Sequence, residues 1–305
     1  MFEGFSVEVA GRGRGDGRIV SLVTMEPLPT FRKAYHRLIP RSIRDPLGLR
    51  RRLVMDNVRR WISAAPLPTP DLLLKVQLTP FLKEYLTVGR AQAMSVKTTL
   101  HDFGVAAGDD VLDFGCGCGR TLWHLRENGW QLHGCDVDTA LVAWCQEHLP
   151  TCQVVLSRHD PPLPFADNAF GAVFAASVFT HFAAPNQHAW AAEMARVVRQ
   201  GGLLIVSSMG PYALGNFPEI ATPKNLTELR DQGFLFIPSA STTFNSQGAF
   251  HTREGIEGVF AKWFDPGKWV EGGLDGFQDL SVFRKKRGET ASLDANQEPP
   301  KSRTW

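Results

Sequence analysis

Several features that would narrow the chain at once are missing. The five cysteines in 305 residues, Cys116, Cys118, Cys135, Cys145 and Cys152, are odd in number and crowd into one stretch. That excludes a disulfide framework and suits a reducing cytosol. Residues 1–11, MFEGFSVEVAG, lack a basic start followed by an apolar core, so no signal peptide is expected. Residues 168–192 carry no Asp, Glu, Lys or Arg, but Thr180, His181, Pro185, Asn186, Gln187 and His188 interrupt them. A buried strand and a loop fit that stretch better than a membrane span. No internal repeat is visible, and no strong overall charge: the net is +2. The expectation is a cytoplasmic protein, with membrane association left open by its N-terminal segment.

What is present is unevenly placed. Residues 1–75 hold 14 Lys and Arg against 7 Asp and Glu, whereas residues 76–305 hold 19 against 24. The basic surplus therefore belongs to the N-terminal segment. Within it, RSIRDPLGLRRRLVMDNVRRW (residues 41–61) sets Leu49, Leu53, Val54 and Val58 near helical spacing, which predicts a basic amphipathic helix. PLPTP (residues 66–70) reads as a linker. The hydrophobic share of 43% supports one large domain with appendages. The division expected is a basic extension and linker over 1–75, a main folded domain over 76–287, and a polar, disordered tail over 288–305.

After the linker, strand and helix patterns alternate. Helices are expected over 80–103, 119–128, 139–148 and 187–199, the last closed by Gln200-Gly201-Gly202. Strands are expected over 110–114, 131–135, 153–156, 169–175 and 203–207. Such alternation implies an α/β fold, a doubly wound and mostly parallel sheet covered on both faces. From 209 to about 260 the pattern weakens, and residues 210–260 read as an irregular insertion or lid holding Phe217, Phe234, Phe236, Phe244 and Phe250. Strands over 263–270 and 278–285, joined by a short glycine-rich connection, close the domain as an antiparallel hairpin.

The strongest chemical signal is VLDFGCGCGR (residues 111–120), a strand running through Gly115, Gly117 and Gly119 into a helix. Glycines let the backbone approach a ligand, and a helix start offers free N–H groups to an anion. A dinucleotide loop, G-x-G-x-x-G, would place its third glycine at 120, where Arg120 stands, a poor fit for close helix–strand packing. A nicotinamide-dependent oxidoreductase is thereby disfavoured. HGCDVD (residues 133–138) ends the second strand at Asp136, placed to accept from ribose hydroxyls, with Asp138 set to cap the next helix.

These residues resemble the class I S-adenosylmethionine-dependent methyltransferases, bacterial methyltransferase-domain proteins among them. The resemblance runs from Asp109 to Ser207 and into the closing hairpin, FQDLSVFRKK. It implies a seven-stranded Rossmann-like sheet and S-adenosyl-L-methionine as cofactor. It also implies binding by Asp113, Gly115, Cys116, Gly117, Gly119, Asp136, Val137, Asp160 and Ser177, with Asp113 facing the methionine ammonium. His159 and Gly171 stand where the family often carries acids, which moves the expected adenine contact to Asp160. Methyl transfer needs alignment more than a triad, and no metal is expected. His181, in SVFTHF, is the first candidate for a base or acceptor contact, against a structural histidine bonded to a backbone carbonyl. His251, in AFHTREG, is the second, either a lid residue over the acceptor or a neighbour of a helix cap. The implied acceptor is a small molecule or a glycan or lipid-linked molecule, methylated at oxygen or nitrogen. Residues 31–62 are open to contact with an anionic membrane. Nucleic acid is disfavoured, because no stacking aromatics interleave the basic run. The alternative is a binding protein that has kept the cofactor and lost catalysis.

Overall fold

A computed structural model describes residues 46–63, 66–77, 79–238 and 248–287. The expected tail, most of the basic segment before Pro46, and Phe244 lie outside these residues. Helix α1 (Pro46–Ile62) and α2 (Pro70–Val76) precede α3 (Leu82–Asp102). The alternating unit follows as β1 (Asp110–Phe114), α4 (Arg120–Leu125), β2 (Gln131–Asp136), α5 (Thr139–His148), β3 (Cys152–Leu156), β4 (Phe170–Ala175), α6 (Ala184–Val197) and β5 (Val198–Ser208). An inserted layer of α7 (Pro211–Gly215), α8 (Pro223–Gln232), β6 (Phe234–Ile237), β7 (Gly248–His251) and α9 (Arg253–Phe260) comes next. The hairpin β8 (Phe264–Leu274) and β9 (Gln278–Lys285) ends the described chain.

The strands form a seven-stranded sheet in the order β3-β2-β1-β4-β5-β9-β8, parallel except for β9 and β8. This is the doubly wound Rossmann-like arrangement expected from the alternation. Strand periodicity assigns each residue a face. Val111, Leu132, Val154, Phe174, Leu203, Ile205 and Val282 share one core with Val96 and Leu100 of α3. Leu112, Phe114, Val173, Leu204 and Phe283 share the other with Trp190 and Met194 of α6 and Phe260 of α9. Both faces being covered explains why β4, FGAVFA, is apolar along its whole length.

Four expectations are corrected. Residues 210–238 and 248–260 are not irregular: α7, α8 and the β6–β7 ribbon enclose a small core of Leu214, Leu229, Leu235 and Phe250, with Phe217 packed on it. The signal was weak because each element is short. The helix before β5 ends at Val197, and Gln200-Gly201-Gly202 belongs to β5, which pairs from Phe170↔Val198 through a register shift. Helix α4 spans only Arg120–Leu125, shorter than the glycine-to-asparagine stretch expected. The linker opens directly into α2, with Pro70 at its first turn.

Helix α1 is fastened by its charges. Asp56 is buried, accepts from the Leu82 N–H at the start of α3 (2.9 Å) and pairs with Arg59 (2.7 Å). Arg52 pairs with Glu84 (2.8 Å), and Arg60 donates to the Leu67 and Pro68 carbonyls (3.0 and 2.6 Å). The outward face holds Leu53, Val54, Met55 and Val58, which are exposed.

Candidate cofactor site

The loop after β1 turns on glycines for a steric reason. Gly117 has φ +55°, and a Cβ there would lie 2.7 Å from Val76 Cγ1 of α2. Gly119, at φ +65°, would drive a Cβ to 2.3 Å from Leu149 Cδ1 below α5. L side chains rarely adopt such angles, and neither site has room for one. Arg120 follows with room beside α3, which carries Gly89 opposite: a Cβ at 89 would sit 3.0 Å from Arg120 Cβ.

Backbone hydrogen bonds hold the loop against β2. Gly115 and Cys116 N–H groups both donate to the Cys135 carbonyl (2.9 and 3.0 Å), and Gly117 N–H donates to Asp136 Oδ2 (2.9 Å). Asp136 Oδ1 accepts from Asp138 N–H (2.9 Å). Burial raises the Asp136 pKa, while the amides of Asp138 and Gly117 pull it back. Asp138 caps α5 by accepting from Ala140 and Leu141, and Lys75 of α2 pairs with it across the loop. Tyr85 of α3 donates to the Cys118 carbonyl (3.2 Å). The buried thiols of Cys116 and Cys118 are pushed up, Cys116 first by its hydrogen bond with Cys145 and Cys118 first by burial. They pack as small apolar groups.

Asp113 is 3% exposed at the end of β1. Burial pushes its carboxyl well above the usual range, opposed by the charge of Arg120. Val137, just past β2, and Asp160, in the loop that leaves the carboxyl end of β3, are exposed.

At the end of β4, Ser177 takes φ +61°, an uncommon angle for serine that costs of order 1 kcal/mol and is met chiefly at functional sites. Its N–H donates to Ser207 Oγ (2.7 Å), Ser207 Oγ donates to Gln278 Oε1 (2.7 Å), and Gln278 Nε2 donates to Ser177 Oγ (2.6 Å). That ring ties the ends of β4 and β5 to the start of β9. His181 closes the 3-10 turn Phe179–His181 just beyond and is half-buried, its N–H on the Val178 carbonyl (3.0 Å).

His251 is placed differently. It is 1% exposed at the end of β7, with Nε2 2.8 Å from Gln187 Oε1. A carbonyl oxygen there requires that nitrogen to carry the proton. Gln187 Nε2 in turn donates to the Phe182 carbonyl (2.9 Å), so His251 joins the inserted layer to the turn that carries His181. Burial lowers its pKa to about 3. It also immediately precedes Thr252, whose side chain caps α9, and its ring turns into the interior instead of over the carboxyl edge. Of the insertion phenylalanines, Phe250 is core, Phe217 lies on it, and Phe234 lies against the His251 ring (5.0 Å).

The structure thus brings Asp113, the glycine loop, Asp136 and Ser177 to one sheet edge and seats His251 away in the packing. The residues fit S-adenosylmethionine: a narrow cradle admits only glycine at 117, and a buried carboxyl stands beside it. Residues 112–206 match the family described as methyltransferase domain. That match agrees with the resemblance to the class I S-adenosylmethionine-dependent methyltransferases read from the glycine loop and Asp136. The chain is 34% identical over 119 residues to the demethylmenaquinone methyltransferase of Beutenbergia cavernae, which is 38% of this chain and 48% of that protein. It is 30% identical over 124 residues to the methyltransferase GfsG of Streptomyces halstedii, 39% of this chain and 43% of that protein. The chain therefore spans under half the length of these curated relatives. A solved S-adenosylmethionine-dependent methyltransferase of Methanosarcina mazei superposes with TM-score 0.50 at 14% identity, covering 62% of this chain and 98% of that one. That likeness is one of fold.

Sequence reasoning missed the side chains that complete the carboxyl edge from elsewhere: Lys75, Val76 and Tyr85 at the glycine loop, and Gln92, Ser207, Asp275 and Gln278 at the other end. No local motif marks them, since partners such as Gln92 and Asp275 lie 183 positions apart.

Proposed function

We propose that the chain transfers a methyl group from S-adenosylmethionine to a small-molecule acceptor, at oxygen or nitrogen. The observation that carries this is the glycine loop locked to Asp136 beside the buried Asp113. Bound there, the cofactor supplies a methyl group on a positively charged sulfur. The chain's own part is to orient and to exclude water. Gly115, Gly117 and Gly119 admit the cofactor to the backbone, Asp136 accepts from the ribose with lone pairs its amide partners leave open, and Val137 and Asp160 border the adenosine. Cys116 packs the loop and Ser177 sets the floor at β4. His181, on the turn after Ser177, is the proposed contact to the acceptor. His251 acts through Gln187 by positioning that turn. The inserted layer is proposed as the acceptor's lid, anchored where Phe217 meets Phe277 of the hairpin (6.1 Å). The two curated methyltransferase relatives support the reaction class.

Calorimetric titration with S-adenosylhomocysteine tests the cofactor. Binding by the wild type and none by folded Gly117→Val is the expected result. Tight NAD binding with no response to S-adenosylhomocysteine would return the fold to a dehydrogenase. Transfer of labelled methyl onto a panel of phenols, amines, sugars and glycolipid precursors tests catalysis, and failure on every class would favour the non-catalytic binder.

Membrane contact through residues 31–62 is the finer part of the proposal. No helix among the described residues is long and apolar enough to cross a membrane. Because Arg52 and Arg60 are engaged beyond the helix and Arg59 pairs with Asp56 on it, α1 presents Leu53, Val54, Met55 and Val58 outward. Sedimentation with anionic vesicles should then weaken on Val54→Ser with Val58→Ser and change little with salt. A salt-sensitive, substitution-insensitive result sinks it.

A further inference from the structure

The five cysteines are all free thiols and all buried, but they are not placed alike. Cys118 Sγ turns toward the Leu72 carbonyl of α2 (4.0 Å). Cys135 lies within β2, and Cys152 starts β3. Cys116, in the glycine loop, and Cys145, on α5, instead meet at one oxygen. Cys145 Sγ donates to the Gly117 carbonyl (3.3 Å), and Cys116 Sγ lies 3.7 Å from the same oxygen. The two thiols also hydrogen-bond each other, which is the first cause of the raised Cys116 pKa. Both sulfurs are wedged beneath the loop. A Cβ at Gly134 would lie 3.0 Å from Cys116 Sγ, and one at Gly119 would lie 3.3 Å from Cys145 Sγ.

Two hydrogen-bonded thiols need only a small approach to reach the separation of disulfide sulfurs, about 2 Å. We propose that a peroxide joins Cys116 to Cys145 as a disulfide, and that this link loosens the hold of the glycine loop on the cofactor. The steps balance. The Cys116 sulfur attacks a peroxide oxygen, the O–O bond breaks, and a sulfenic acid and one water result. The Cys145 sulfur then attacks that sulfur, and the second water leaves. Two hydrogens and two electrons pass from the thiols to one hydrogen peroxide. The loop feels the change in two ways. The buried Gly117 carbonyl loses its thiol donor. Cys116 is also drawn toward α5, away from the Cys135 carbonyl and Asp136 that hold the backbone of residues 115–117. Burial sets the rate: Cys116 is 5% exposed and Cys145 0%, and Cys116 stays protonated, so peroxide reacts when the loop opens. A bound cofactor covers the loop and slows the reaction. The pairing stands on the sulfurs alone, whereas the effect on the cofactor rests on the glycine-loop reading.

Hydrogen peroxide applied to the full chain tests this, read by intact mass and by peptide mapping without reductant. The wild type should lose two hydrogens, with the peptide of Cys116 joined to that of Cys145, and dithiothreitol should reverse it. S-adenosylhomocysteine should slow the cross-link. By calorimetry the oxidised protein should bind S-adenosylhomocysteine at least about tenfold more weakly than the reduced one, the scale of one lost hydrogen bond. Cys118→Ser should keep the cross-link, and Cys145→Ser should abolish it together with the peroxide effect on affinity. A chain carrying Cys118→Ser, Cys135→Ser and Cys152→Ser retains only the two proposed sulfurs and should still close, which decides the pairing if Cys145→Ser does not fold. No cross-link in the wild type, or one that persists in Cys145→Ser, overturns the pairing. A cross-link that leaves affinity unchanged overturns the loosening of the loop. A reduced wild type that cross-links but never binds S-adenosylhomocysteine upholds the pairing and overturns the cofactor reading.

Discussion

The two ends of the carboxyl edge are built by different means. At the β1–β2 end, the glycine loop is held by backbone groups of residues close in sequence: Gly115, Cys116 and Gly117 bond to Cys135 and Asp136. At the β4–β5–β9 end, the edge is held by side chains from distant elements, Ser177, Ser207 and Gln278 in a ring and Gln92 with Asp275 beyond it. The first can be written as a motif, because backbone geometry over a few residues dictates which residues fit. The second cannot, because it is assembled by sheet order.

That contrast can be broken at either end. The largest effect is expected at Gly119→Val, which forces a side chain at φ +65° into Leu149 Cδ1. Strain and overpacking together cost about 3–5 kcal/mol, read as a drop in the denaturant midpoint at constant slope. A loss below about 1 kcal/mol would mean the loop is soft. At the other end, Gln278→Leu orphans Ser177 Oγ and the Ser207 hydroxyl. About 2 kcal/mol of stability should go, with cofactor affinity falling less than for Gly117→Val. Equal losses of affinity would erase the distinction between the two ends.

The His251 link between layers gives a smaller, pH-dependent effect. Its folded pKa of about 3 lies below the ordinary histidine value, so the neutral ring stabilises the fold. That contribution is complete above about pH 6.5 and declines as pH falls toward 3, because the unfolded chain takes up the proton first. Between pH 7.5 and pH 5 the wild type should lose roughly 2 kcal/mol more than His251→Asn in urea unfolding. Parallel losses would show that the ring is solvated. The smallest effect is expected at Lys75→Met. The Lys75–Asp138 pair is partly exposed, so under about 1 kcal/mol should be lost, and less at high salt.

Much of the frame was legible. β1, α5 and β9 begin and end where their patterns do, because one buried stripe or a clear cap marks each: Asp138 caps α5, as its position before Thr139 suggests. The inserted layer was not legible. Four of its five short elements share a core of only a few residues, so each buries little, and α7 and β6 would not persist alone. How the chain makes room for Arg120 was not legible either, because it depends on Gly89, on a helix packed against it.

By itself the sequence determined the alternation of strands and helices, the two-sided burial of the sheet, and a glycine loop with an acid at the end of the next strand. These follow from residue size, polarity and φ preference over short spans, and they carry the cofactor class. Only the tertiary structure decided that Arg52 and Arg60 of α1 bond beyond their own helix, that His251 lies in the packing on Gln187, and that Gln92 meets Asp275. Such pairings depend on which strand edges and helix faces become neighbours, and that is set by the summed burial of the whole sheet and not by any local pattern.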